Sequence, residues 1–373
     1  MKTFRLYGIF LLLWVSACGQ QKENKKGLNE NTVLFEYEVV VPDLNVPWGM
    51  VFLPDGSMLI TERNGELIHF KGDKKAEIAN VPKVYTRGQG GLMDIELHPN
   101  YEENGWIYLT YASEEGEGSG GNTALMRAKL ENGGLVQKEV LYKAVPNTTA
   151  GQHFGSRIEF DDEGYLYFTI GGRGERELNP QDITRDGGKT YRLNADGSIP
   201  VDNPFVGVPN AKKAIFAYGQ RNQQGMAKHP ETGEIWAHEH GPMGGDEVNI
   251  IKKGGNYGWP IVTYGQNYNG TEIDYPGVEP KMIEPIHYWV PSIAPSGMLF
   301  VTSEKYPHLR GNLLVGSLKF QYLEHDVLEN EKVVKREKLL EGIGRVRSMA
   351  QSPDGFIYIG VENLGVVRLI PIP

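Results

Sequence analysis

Cysteine is nearly absent from this 373-residue chain, in which Cys18 is the only one. A disulfide within the chain is therefore impossible, and beyond residue 18 there is neither a thiol nucleophile nor a thiolate to join a metal cluster. Long apolar runs are missing as well. The longest, from Leu6 to Val15, is about ten residues, too short to cross a bilayer as a helix. Basic blocks are lacking too. The formal charge is −9, with no dense Lys/Arg segment, so nothing favours a nucleic-acid partner.

The short apolar run follows Lys2 and Arg5 and reads as the core of an export signal, residues 1–17. Val15-Ser16-Ala17-Cys18 resembles the lipobox of bacterial lipoproteins, in which the cysteine becomes the lipidated first residue of the mature chain. Cleavage there removes Lys2 and Arg5 and no acid, taking the charge from −9 to −11. Residues 18–32 open with the polar run Gly19 to Lys26 and read as a tether. The expectation is an exported protein on a bacterial membrane, periplasmic or at the cell surface, held by a lipid anchor alone.

Residues 33–373 remain for the folded part. The chain has 47 glycines and 22 prolines, which argues against long helices and for short strands joined by turns. One pattern recurs: a polar turn ending in glycine, then alternating apolar residues. Its six copies begin at Asp55-Gly56, Asn104-Gly105, Glu163-Gly164, Thr232-Gly233, Arg310-Gly311 and Asp354-Gly355. Glycine permits the left-handed turn, and the aromatic and β-branched residues that follow suit a pleated surface. Six copies spaced roughly 45 to 80 residues apart predict an all-β, six-bladed β-propeller. Pairing of Phe35 to Val41 with Gly365 to Ile370 would close the ring and remove open edges. The longest intervals lie between the third and fifth copies, where inserted loops are expected to carry function.

Four dense segments stand outside this repeat: Thr86 to Asp94, Gly151 to Arg157, Ala217 to Gly225 and His238 to Asn249. Gln152-His153-Phe154-Gly155, Gly219-Gln220-Arg221-Asn222, His240-Gly241-Pro242 and Gly254-Gly255-Asn256-Tyr257-Gly258-Trp259-Pro260 occur in order, after Pro47-Trp48-Gly49-Met50. Together they resemble the glucose/sorbosone dehydrogenase family, particularly soluble aldose sugar dehydrogenases that use the quinone PQQ. The resemblance runs from about Pro47 to Arg368.

What the resemblance implies is specific to positions. His153 matches the catalytic base that takes the proton of a sugar's anomeric hydroxyl, a role suited to a group whose ordinary pKa is about 6.5. Arg221 and Asn222 match residues against the quinone, where a cation stabilises charge on the reduced cofactor. Gln89 matches a further cofactor contact. Lys319, Arg345 and Arg347 match the cations that hold PQQ carboxylates. Gly241 and Pro242 match carbonyl ligands of a Ca2+ ion at the cofactor, and Glu247 and Tyr257 resemble ligands of a second, structural calcium. The implied reaction oxidises an aldose to a lactone, with a quinone or cytochrome as external electron acceptor and a homodimer as a possible assembly. One departure touches the substrate. Gly172 stands where some members carry an acid near the sugar, which leaves that contact to Glu175 or removes it.

Three alternatives stay open on sequence. His238 and His240 alternate on a strand and, with a carboxylate, could hold zinc. Calcium-dependent lactonases also use six-bladed propellers, although they bind the ion through side-chain carboxylates and amides. A non-catalytic propeller that binds glycans or proteins would not need His153, Arg221, Lys319, Arg345 and Arg347 together.

Overall fold

A computed structural model of the protein describes residues 35–273 and 281–372. The leader and Cys18 lie outside the described residues. Within them, 24 strands form six four-stranded antiparallel sheets, the six blades of a propeller. The blades occupy residues 47–77, 92–143, 158–218, 223–289, 295–339 and 346–371.

All six glycine turns fall at the same place, the hairpin between the first and second strands of a blade. Their φ values lie between 69° and 87°, in the left-handed region that disfavours a side chain. Each turn leads into a second strand: Met58–Glu62, Trp106–Ser113, Leu166–Ile170, Ile235–Glu239, Leu313–Ser317 and Ile357–Val361. These strands are buried on both faces, because each blade packs against a neighbour on either side. That is why the repeat is apolar almost throughout, with little polar alternation. The outer strands differ: Lys74–Glu77 is exposed along its length.

The core is correspondingly divided among the interfaces between adjacent blades. Leu59 and Leu109 share the first such cluster, Tyr108 and Phe168 the next, and Ala217 and Trp236 lie in the two that flank the fourth blade. Ring closure follows the expected pairing. Phe35–Pro42 forms the outer strand of the last blade, paired from Phe35 opposite Pro371 to Pro42 opposite Gly365 with a one-residue register shift between Val39 and Val41. The final cluster, with Val41 and Val366 against Met50 and Ile60, seals the sixth blade to the first.

The first strands of the blades face the central channel. Arg157, at the start of the third blade, crosses it and ties that blade to four others. It pairs with Asp94 at 3.0 Å and donates to the carbonyls of Gln224 at 2.7 Å, Arg347 at 2.9 Å and Trp48 at 3.3 Å. Its guanidinium also lies 4.2 Å from the centre of the Trp48 ring. A cavity of about 440 Å³ opens at the end of the channel near the glycine turns and is lined by the first strands of all six blades. A second cavity lies at the opposite end, among the loops that enter the first strands and leave the second.

Candidate active site

The second cavity measures about 400 Å³ and is lined by Gln89, Gln152, His153, Gly172, Gly174, Arg176, Arg221, Pro242, Trp259, Asn267 and Tyr268. Six of these residues come from two inserted loops, three from residues 171–188 after the second strand of the third blade and three from residues 251–273 after the third strand of the fourth. Those are the longest intervals between glycine turns, and they supply the outer wall.

His153 sits in the loop that enters the third blade, with a left-handed φ of 59°. Its backbone N–H donates to the Gln89 amide oxygen at 2.7 Å, and the Gln89 N–H donates to Gly151 at 2.7 Å, so two loops are stitched together at the cavity wall. Below His153 the packing leaves no room. A Cβ at Gly171 would come within 2.5 Å of the His153 carbonyl oxygen and 2.6 Å of the Asn222 amide oxygen. Burial, followed by the positive charges of Arg221 and its neighbours, lowers the His153 pKa well below its ordinary 6.5. The imidazole is therefore neutral and has an unprotonated ring nitrogen at neutral pH.

Arg221 lies across the cavity wall and is only 7% exposed. It donates to the His240 carbonyl at 2.9 Å and to the Tyr268 hydroxyl at 3.4 Å, and its guanidinium stands 5.3 Å from the Trp259 ring centre. Its backbone N–H, with that of Asn222, is held by the Glu239 carboxylate. Asn222 does not line the cavity. It is fully buried beneath the His153 loop, where its amide oxygen accepts from Gly155 N–H at 3.1 Å. Its side-chain nitrogen has no partner among the described residues.

The other three cations lie at the same end of the channel, on the fifth and sixth blades. Glu362 bridges Arg345 and Arg347, with Arg347 Nε at 3.0 Å. Arg345 also donates to the Leu318 carbonyl at 3.0 Å, beside the exposed Lys319. Arg221, Arg347 and Arg345 all bear on His240, whose pKa falls to about 3, chiefly through burial. The five charged or ionisable groups expected from the sequence thus gather around one end of the channel, although Lys319, Arg345 and Arg347 do not line the cavity itself.

Pro242 does line it. Gly241 is anchored through its N–H to Asp246 at 2.8 Å, and Asp246 also accepts from Ser292 at 2.6 Å and Ala294 at 2.8 Å. Among the described residues nothing donates to the carbonyls of Gly241 or Pro242, so both are available to a hard cation. Glu247 lies against Glu239. Burial, then that carboxylate, pushes Glu247 well above the usual carboxylate range. The Tyr257 hydroxyl is occupied, donating to Ile250 at 2.6 Å and accepting from Lys252 at 2.7 Å, which leaves only its carbonyl for a metal.

His238 and His240 do face one side, as their alternation predicts. Each donates Nε2–H to a backbone carbonyl of the fifth blade, His238 to Gly297 at 2.9 Å and His240 to Pro295 at 2.7 Å. No group of three or more His, Cys, Asp or Glu side chains among the described residues is placed to share a metal ion. The zinc alternative accordingly lacks a ligand set here.

Gly172 lines the cavity, and Glu175 is exposed and does not. Arg176 stands on that wall instead. The residues that sequence reasoning left aside are Arg176, Asn267 and Tyr268. Their signal was their place in the long inserted loops, where an aromatic residue has no strand pattern to serve.

Residues 44–368 match the glucose/sorbosone dehydrogenase family. The aldose sugar dehydrogenase YliI of Escherichia coli is 39% identical over 332 residues, covering 86% of this chain and 88% of that protein. The crystal structure of the soluble aldose sugar dehydrogenase of E. coli in its apo form superposes with a TM-score of 0.87 at 36% identity, covering 91% of this chain and 100% of that one. The PQQ-bound aldose sugar dehydrogenase of Streptomyces coelicolor superposes with a TM-score of 0.73 at 26% identity, covering 91% and 99%. By sequence and by fold, this chain belongs to the glucose/sorbosone dehydrogenase family of oxidoreductases.

Proposed function

We propose that the protein oxidises aldose sugars to lactones with PQQ and Ca2+. The observation that carries this reading is a neutral, half-buried His153 on the wall of a cavity it shares with Arg221, in a chain of this family. PQQ with its calcium supplies, when bound, the acceptor for the two electrons and the hydrogen that leave the anomeric carbon. The chain's own residues do the rest. The unprotonated ring nitrogen of His153 takes the proton of the anomeric hydroxyl. Arg221, held by Tyr268 and the His240 carbonyl, places a fixed positive charge where negative charge develops. The free carbonyls of Gly241 and Pro242 suit the calcium, and Lys319, Arg345 and Arg347 suit the cofactor's carboxylates. Glu362 keeps the two arginines in place. Trp259 and Tyr268 give a sugar apolar faces and help exclude water. Glu239, Glu247 and the Tyr257 carbonyl would take the second calcium.

We further propose export and lipidation at Cys18, which would leave the cavity facing a sugar-containing compartment, with an external quinone or cytochrome to reoxidise the cofactor. The test uses purified protein supplied with PQQ and calcium, an aldose and an artificial electron acceptor. Dye reduction should require both additions and collapse in His153→Ala. Lactone hydrolysis without PQQ would instead favour the lactonase reading.

A further inference from the structure

Next to the proposed base lies a charge that the reaction above does not use. Arg173 is 1% exposed, among the largest fully buried side chains of the described residues. No carboxylate among those residues pairs with it. Taking a cation out of water without an anion costs several kcal/mol, so a buried unpaired arginine calls for a local reason.

The reason is visible in what it touches. The guanidinium donates to the carbonyls of Gln152, Ala150 at 2.6 Å and Gly121 at 3.2 Å, and to the Thr148 hydroxyl at 3.3 Å. It stacks on the Phe154 ring at 3.5 Å from the centroid. Its own N–H donates to the His153 carbonyl at 3.4 Å. These contacts grip residues 148–154, the segment that carries His153, from both ends and from beneath. Arg173 itself is left-handed, with φ 54°, and so is His153 at 59°. Non-glycine residues are disfavoured in that region. Two such residues facing each other through one hydrogen bond persist only where the surroundings hold them.

We propose that Arg173 is a positioning residue for the His153 base: its planar guanidinium gathers the carbonyls of the 148–154 loop and fixes His153 at its left-handed angle in the cavity wall. Lysine cannot replace it. An ammonium lacks the flat fork that serves several acceptors and lies against a ring. The inference rests on the proposed role of His153, and its test separates the two.

The experiment is a double-mutant cycle on the PQQ- and calcium-loaded protein with Arg173→Gln, Arg173→Lys, His153→Ala and the combined Arg173→Gln/His153→Ala variant. Misplacing the base by about 1 Å is expected to lower kcat about 100-fold in Arg173→Gln. The sugar KM and the PQQ affinity, measured by titration without turnover, should stay within about threefold, because Arg173 does not line the cavity. Arg173→Lys should lose activity similarly although it keeps the charge. In the His153→Ala background the Arg173→Gln change should cost less than about threefold, since the group it positions is already gone.

Equal losses in both backgrounds would overturn the proposal, as would a folded Arg173→Gln protein with unchanged kcat. Failure of both Arg173 variants to fold would also overturn it, because the arginine would then hold the fold rather than the histidine. A fully active His153→Ala protein would refute the base and this inference with it. An inactive His153→Ala beside an undisturbed Arg173→Gln would refute only the role of Arg173.

Discussion

Arg157 and Asp94 form a buried ion pair on the propeller axis, with side chains only 7% and 9% exposed. Replacing Arg157 with methionine fills much of the same volume but leaves the Asp94 carboxylate without its cation. Asp94 keeps only backbone hydrogen bonds, from Ile158 N–H at 3.0 Å and from Ile95 N–H. The carbonyls of Trp48, Gln224 and Arg347 lose the Arg157 donor at the same time, although that of Arg347 keeps the Ser296 hydroxyl at 2.9 Å. Breaking a buried pair from one side costs about 3–5 kcal/mol, and the carbonyls can recover part of their loss from water in the cavities at either end. Arg157→Met should therefore lower the urea unfolding free energy by about 3–5 kcal/mol. Adding Asp94→Asn removes the stranded charge and should return about 2 kcal/mol of that.

The same pair fixes the pH dependence. Burial already raises the Asp94 pKa above its ordinary 3.8 despite the opposing Arg157 charge, and without Arg157 it rises further. A carboxyl whose folded pKa exceeds its unfolded one binds its proton more tightly in the folded state. The penalty is then absent below about the unfolded pKa, grows as pH rises, and is complete above the folded value. Unfolding followed by tryptophan fluorescence at pH 5 and pH 8 should show the larger deficit at pH 8, and Asp94→Asn should erase the difference. A deficit below about 1 kcal/mol at both pH values, or no recovery in the double variant, would refute this account of the axis.

Two further outcomes concern the site. Gly171→Ala puts a methyl group 2.5 Å from the His153 carbonyl oxygen, so the His153 loop must move; activity should fall at least about tenfold while the melting temperature drops only a few degrees. The pH profile of kcat/KM gives the other. A base acts only unprotonated, and burial together with Arg221 lowers the His153 pKa well below 6.5, so the rate should hold down through pH 6 and fall only at more acid pH. A fall centred at 6.5 or above would contradict the neutral imidazole.

Much of this architecture was legible in the chain. The six turn glycines were readable because a left-handed turn leaves a residue signature, and each marks one blade. The closing strand was readable because Phe35–Pro42 has the alternation of an edge in need of a partner. The cavity's outer wall was foreshadowed by the spacing alone, since the two longest intervals supply Arg176 and Tyr268. Position-by-position resemblance brought His153, Arg221, Lys319, Arg345 and Arg347 to one end of the channel.

Other features depend on contacts that no local pattern encodes. Arg173 reads as a surface charge between two glycines, yet its acceptors lie 21 to 52 residues earlier in the chain. Glu362 gives no sign in sequence that it bridges two arginines. Asn222 belongs to a cofactor motif but is spent on bracing the His153 loop. The barrier across the channel joins a side chain of the third blade to backbone of three others, which only the closed ring brings together.

The most direct test of the central claim is a titration of the purified protein with PQQ in the presence and absence of Ca2+, followed by aldose and an electron-accepting dye. The account expects PQQ to bind at micromolar concentration or below when calcium is present, and dye reduction to require PQQ, calcium, sugar and His153 together. A protein that binds no PQQ at micromolar concentration with calcium present, or one that reduces the dye equally well as His153→Ala, would contradict it.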